Sequence, residues 1–122
     1  RAMTQERLSL GRQGEEAAAR QLEQKGMTVL ERNLRTPVGE IDLVVSDRSS
    51  LAFVELKARR SELFGTPAEA VGPRKQRQIV RAAKWYLNDG RGKGLQPRFD
   101  VVAVLVQGDT FLVEHIPAAF EV

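Results

Sequence analysis

The sequence contains no cysteine and a single histidine, His115. The first absence excludes disulfides and thiolate metal sites. The second leaves no partner imidazole for a zinc site and no support for a histidine-based triad. Long apolar runs are also missing. The longest, Val101 to Val106, is far too short to span a bilayer, and Arg1-Ala2-Met3 opens no hydrophobic signal core. A cytoplasmic location with no membrane partner is therefore the expectation, and Arg1-Ala2 ahead of Met3 could be an expression scar. No glycine-rich phosphate loop occurs, so no nucleotide cofactor is expected. Repeats, low-complexity tracts and Pro/Gly/Ser-rich linkers are absent as well. The chain reads as one domain over residues 1–122, with residues 1–7 expected to be flexible.

What is present is an ordinary globular balance: 122 residues, 42% hydrophobic and 29% charged. A chain of this length can bury one core without staples. Nineteen Lys+Arg against sixteen Asp+Glu give a net charge of +3. This mild excess permits a polyanion partner without demanding one, so the placement of the charges matters more than their sum.

Periodicity divides the chain into seven elements. Leu8 to Lys25 has helical spacing, with Gly26 as a left-handed stop. Leu8, Gly11, Ala18, Ala19 and Leu22 share its apolar face, and Glu15 sits in the middle of that face. Three strand-like runs follow: Thr28–Leu34, Glu40–Val45 and Leu51–Lys57. In the second, Ile41, Leu43 and Val45 alternate with Glu40, Asp42 and Val44. In the third, Ala52, Val54 and Leu56 oppose Leu51, Phe53, Glu55 and Lys57. Turn residues at Asp47–Ser50 join these two runs as a hairpin. Thr66-Pro67-Ala68-Glu69 fits a capping box opening a helical turn. Gly72-Pro73 then restarts a longer helix to about Leu87, with Ile79, Ala82, Ala83 and Tyr86 facing inward. Phe99–Val106 reads as a buried central strand and Thr110–Ile116 as a last one. The order α-β-β-β-α-β-β predicts an α/β fold with helices flanking a mixed sheet.

The chemistry lies in Gly39-Glu40-Ile41-Asp42 followed by Glu55-Leu56-Lys57. Glu55 and Lys57 project from one face of an otherwise apolar strand, where unpaired charges would be costly. The hairpin can bring Asp42 beside them. Carboxylates from Asp42 and Glu55, with a backbone carbonyl and waters completing the shell, suit a hard cation such as Mg2+ or Mn2+. Such a site fits phosphodiester hydrolysis, with Lys57 orienting or deprotonating a water or stabilising developing charge. A lone Glu-x-Lys in a strand is more often a structural ion pair. Asp42 at compatible spacing shifts that balance, and so does Glu15, since a glutamate on an apolar helix face seldom lacks a partner. Glu15, Asp42, Glu55 and Lys57 are thus the candidate catalytic set.

Gly14-Glu15, Gly39-Glu40-Ile41-Asp42-Leu43, Phe53-Val54-Glu55-Leu56-Lys57-Ala58-Arg59, Phe64-Gly65-Thr66-Pro67-Ala68-Glu69-Ala70-Val71 and Lys75-Gln76 together resemble the YraN-like family of bacterial proteins. The resemblance runs from about Leu10 to the end. That family in turn resembles the PD-(D/E)XK nucleases, in particular archaeal-type Holliday-junction resolvases. By position, Asp42 matches the motif aspartate, Glu55 and Lys57 the (D/E)XK pair, and Glu15 the first-helix glutamate. Ile41 stands where the motif's proline would be. The resemblance implies a restriction-endonuclease-like core and a metal held by Asp42, Glu55 and the Leu56 carbonyl. The resemblance implies a site but not a substrate; DNA, branched or damaged, is expected ahead of RNA, and a junction, which needs two active sites, would call for a symmetric homodimer.

Arg74, Arg77, Arg81 and Lys84 form a helical stripe that is either a phosphate track or a solvated basic face. Trp85 beside it could stack on a base or cover the sheet edge. Lys75 and Gln76 in the first helical turn, and Arg59 just past Lys57, are expected to reach the same nucleic acid. Asp100 beside Arg98 reads as a structural pair. The competing readings are a metal-dependent endonuclease, a non-catalytic nucleic-acid-binding module that keeps the fold, and a structural protein with a buried ion network.

Overall fold

The computed structural model describes residues 2–59 and 71–121, with side chains described for 11–58 and 71–121. The elements are α1 (Ala2–Gln24), β1 (Thr28–Thr36), β2 (Gly39–Ser46), β3 (Ser50–Arg59), α2 (Pro73–Asn88), β4 (Gln96–Gln107) and β5 (Thr110–Phe120). This is the predicted α-β-β-β-α-β-β order. Helix α1 starts well ahead of Leu8 and takes in most of the segment expected to be flexible; the Leu8 side chain lies outside the described set. The predicted capping box at 66–69 also lies outside the described residues.

The five strands form one mixed sheet in the order β1-β2-β3-β4-β5. All neighbours are antiparallel except β3 and β4, which run parallel across the α2 crossover. The fold is α/β and compatible with a restriction-endonuclease-like core. The β2–β3 turn closes as the sequence suggests: the Asp47 carboxylate accepts the N–H groups of Ser49 and Ser50 at 2.9 and 2.7 Å. Those two bonds hold its pKa below the usual carboxylate value.

Strand alternation divides the core in two. Ala18 and Leu22 of α1 pack with Leu43, Val45, Ala52, Val54, Val102 and Val104 on one face. Ile79, Ala82, Ala83 and Tyr86 of α2 pack with Val44, Leu51, Phe53, Phe99 and Val101 on the other. Gly14, rather than the exposed Gly11, lies closest to the sheet, against Val104.

One expected alternation fails. Ile41 belongs to the α2-side cluster, not to the face shared by Leu43 and Val45. The physical reason lies across the ladder. Asn33 on β1 has φ 50, a left-handed conformation that Asn tolerates better than most residues. Arg32 pairs with Leu43, and Leu34 with Ile41, so the interruption at Asn33 falls opposite Asp42. Beyond it, Leu34 and Ile41 both turn toward α2. Helix α2 itself approaches β2 closely at Gly39 (φ 153), where a Cβ would lie 2.9 Å from Gln78 Cγ. Only glycine suits both that backbone and that spacing.

Candidate active site

The β2–β3 ladder ends at the pair Leu43–Val54. The next residues, Asp42 and Glu55, mark the point where the two strands part. There the Asp42 carboxylate replaces a backbone acceptor, with Leu56 N–H donating to Asp42 Oδ2 at 2.8 Å. In a strand the N–H and C=O of one residue point to the same side. The Leu56 carbonyl therefore faces the same opening as Asp42. A candidate ligand set of Asp42, Glu55 and the Leu56 carbonyl is thus gathered at the mouth of one gap between strands.

Glu55 follows Phe53 onto the α2 face, and its side chain is only 7% exposed. Burial pushes its carboxyl up, and the Asp42 carboxylate, by hydrogen bond and by charge, pushes it further, to about 7. Two ammonium groups oppose this. Lys57 Nζ lies 3.6 Å and Lys75 Nζ 3.8 Å from Glu55 Oε2. The bland alternative of a simple Glu55–Lys57 pair is therefore incomplete. The carboxylate has two cations and a second carboxylate around it, which is the crowding seen where charge is arranged for chemistry or for a bound cation.

Lys75 reaches the acidic pair from the first turn of α2, the direction its place at the helix start suggests. The sequence signal was its position in that turn. Its distance to Glu55 depended on how α2 packs. Gln76 donates its side-chain amide to the Val71 carbonyl at 2.8 Å and so secures the entry to α2.

Glu15 is half-buried on α1, the helix that packs on the face opposite to α2. Among the described residues, no three acidic or histidine side chains lie close enough together to hold a metal ion. Any cation here would be held by two carboxylates and a carbonyl. Arg32 and Arg35, which add charge near β1, are paired with Glu16 at 2.9 Å and Glu40 at 3.6 Å.

The stripe Arg74, Arg77, Arg81 and Lys84 is exposed along α2, and Trp85 beside it is 42% exposed. The Arg59 side chain lies outside the described set. Among the described residues, no helix is long and apolar enough to cross a membrane.

A second polar cluster extends the Arg98–Asp100 pair to His115. Asp100 is fully buried on β4. It accepts two hydrogen bonds from Arg98, both 2.9 Å, and one from the Ala118 N–H at 3.0 Å. His115 Nε2 lies 2.7 Å from its other oxygen, and Lys25 Nζ lies 3.1 Å from His115 Nδ1. An ammonium has no lone pair to offer, so Nδ1 accepts and Nε2 carries the proton that bonds Asp100. Burial raises the Asp100 carboxyl, but the His115, Arg98 and Ala118 bonds outweigh it and hold the pKa below the ordinary value. The Arg98–Asp100 pair is structural, as its spacing suggested. The part played by His115 carried no sequence signal, because it depends on β4–β5 register.

The family model described as "Uncharacterised protein family UPF0102" matches residues 14–104. A UPF0102 protein of Syntrophotalea carbinolica is 58% identical over 120 residues, covering 98% of both chains. One from Desulfosudis oleivorans is 51% identical, covering 98% of this chain and 95% of its own. One from Nocardia farcinica is 46% identical over 92% of this chain and 89% of its own. The matched span contains Asp42, Glu55, Lys57 and Lys75, and with near full-length relatives at this identity the chain belongs to the UPF0102, or YraN, family.

Proposed function

We propose that the protein is a divalent-metal-dependent endonuclease that hydrolyses phosphodiester bonds in DNA, with branched or damaged structures as its substrate class. The observation that carries this reading is the meeting of Asp42 and Glu55 where β2 and β3 part, with Lys57 3.6 Å from Glu55. The donor chemistry fits Mg2+ or Mn2+: only oxygens are offered, from Asp42, Glu55 and the Leu56 carbonyl. The crowding that raises Glu55 to about 7 is the strain a divalent cation would relieve. When bound, such a cation supplies Lewis-acid polarisation of the phosphoryl group and a more acidic water.

The chain's own residues do the rest. Asp42, tied to the Leu56 N–H, holds one carboxylate oxygen fixed beside Glu55. Lys57 and Lys75 bring positive charge to where the phosphodiester becomes more negative. Lys57 is also placed to orient or deprotonate the attacking water. A junction presents two strands to be cut, so a symmetric homodimer would supply the two sites.

The test is incubation of purified protein with plasmid, single-stranded and junction DNA in Mn2+ or EDTA. Metal-dependent cleavage abolished by Glu55→Ala and by Lys57→Ala supports the reading. Cleavage that persists in both variants comes from elsewhere and rejects this site.

A second reading, a non-catalytic nucleic-acid-binding module, draws support from the exposed stripe on α2. It predicts DNA binding weakened by Arg77→Ala and Arg81→Ala, with no turnover in any metal.

A further inference from the structure

Two adjoining cavities of about 460 and 390 Å3 form one groove along the flank of α2 that faces β4 and β5. Its floor is apolar: Val80, Leu87, Phe99 and Phe120. Phe99 and Phe120 are stacked there, with ring centroids 5.2 Å apart and planes at 18°. Its outer wall is basic: Arg77, Arg81 and Lys84. All three are exposed, and among the described residues no ion pair or hydrogen bond engages them. Arg98 also borders the groove, but its charge is taken by Asp100. Glu121 is the one carboxylate among the described lining residues.

The cations and the floor together narrow the occupant. At about 1.5 Å rise per residue, the three cations stand about 6 and 4.5 Å apart along the helix axis. A row of unpaired cations attracts a polyanion. Phe99 is buried and stacked on both Phe53 and Phe120, so the half-buried Phe120 is the aromatic surface that the groove offers to ring systems alternating with the anionic groups. An acidic peptide supplies the charge without the rings. A duplex supplies phosphates but keeps its bases stacked inside. A single strand with unpaired bases offers both.

We infer that this groove binds a single-stranded segment of DNA, with its phosphates on Arg77, Arg81 and Lys84 and unpaired bases against Phe120 and the apolar floor beside it. The inference rests on the reading of the protein as acting on DNA and narrows its substrates to structures with unpaired nucleotides near the cut.

The experiment measures binding by fluorescence anisotropy in EDTA, where no cleavage occurs. The probes are a short thymidylate oligomer, an abasic oligomer of equal length, and a duplex of equal length, with polyglutamate as competitor. The thymidylate oligomer is expected to bind roughly five-fold or more tightly than the abasic one, since each stacked base contributes about 1 kcal/mol or more. It should also bind more tightly than the duplex. Arg81→Ala and Lys84→Ala, checked for native circular dichroism, should each weaken binding and lower the salt slope by roughly 0.7. Arg48→Ala, in the β2–β3 turn, should do neither. Equal binding of the abasic and thymidylate oligomers overturns the inference. So does tighter binding of the duplex, or displacement by polyglutamate as effective as by thymidylate, which would make the groove a peptide site. Loss of metal-dependent cleavage alone would reject the nuclease reading and leave the groove standing. Cleavage without single-strand preference would do the reverse.

Discussion

The Lys75 ammonium at the start of α2 lies 3.8 Å from Glu55 Oε2 on β3, on the same oxygen that Lys57 approaches to 3.6 Å. This contact ties the crossover helix to the acidic pair. The pair's electrostatics therefore depend on how α2 docks as well as on the hairpin that carries Asp42 and Glu55. The charge balance that follows sets a testable order of effects. Lys75→Met removes a cation that favours the Glu55 carboxylate, so the Glu55 titration midpoint should rise above about 7. Asp42→Asn removes the neighbouring negative charge and should lower it. Arg74→Met, on the exposed side of α2, should leave it in place. Carboxyl-carbon NMR titration in EDTA reads all three, and an unmoved midpoint in both Lys75→Met and Asp42→Asn would count against the geometry.

The same group makes stability depend on pH. The Glu55 pKa is raised in the fold, from an ordinary 4.5 to about 7. Its favourable contribution is therefore fully present below pH 4.5 and is lost as pH rises through 7. At about 1.4 kcal/mol per pH unit the full loss is roughly 3 kcal/mol. Urea unfolding of wild type and Glu55→Gln in EDTA should show the variant gaining on wild type between pH 5 and pH 8. Parallel pH profiles for the two proteins would be the contrary result.

If Asp42 and Glu55 hold a divalent cation, the ion stabilises the folded chain by mass action. Mn2+ at a hundred times its dissociation constant should add about 2.7 kcal/mol to wild type. Asp42→Asn and Glu55→Gln should lose most of that increment. A thermal melt with and without Mn2+ at pH 8 measures it, and equal increments in all three proteins would place the ion elsewhere.

Asp100 should matter for stability alone. Asp100→Asn weakens a buried carboxylate network with Arg98 and His115 and leaves the Arg98 guanidinium short of its partner. The expected cost is about 3 kcal/mol or more. In wild type the depressed Asp100 pKa stabilises the fold above the ordinary carboxylate value, and that stability is lost as pH falls through the folded value. The difference between wild type and variant should therefore shrink in acid.

Backbone geometry near Asp42 gives another check. Asn33→Gly should be close to neutral, while Asn33→Val should cost about 1–2 kcal/mol at φ 50. Gly39→Ala should cost about 1–3 kcal/mol from its φ of 153 and its contact with Gln78. Adding Gln78→Ala to it should return only the part due to the side-chain contact. Chemical denaturation measures each.

The sequence by itself determined the local structure and the nucleus of the site. Period-2 and period-3.6 patterns set the element order, the Asp47 turn and the inward face of Ile79, Ala82, Ala83 and Tyr86, because each depends on neighbours a few residues away. The hairpin made Asp42 a neighbour of Glu55 for the same reason. Tertiary structure alone decided which distant groups met. The docking of α2 brought Lys75 to Glu55. The β4–β5 register delivered His115 to Asp100, and the left-handed Asn33 turned Ile41 to the other side. These outcomes depend on crossover geometry, helix packing and a single backbone dihedral. A one-dimensional pattern of apolar and polar residues encodes none of the three directly.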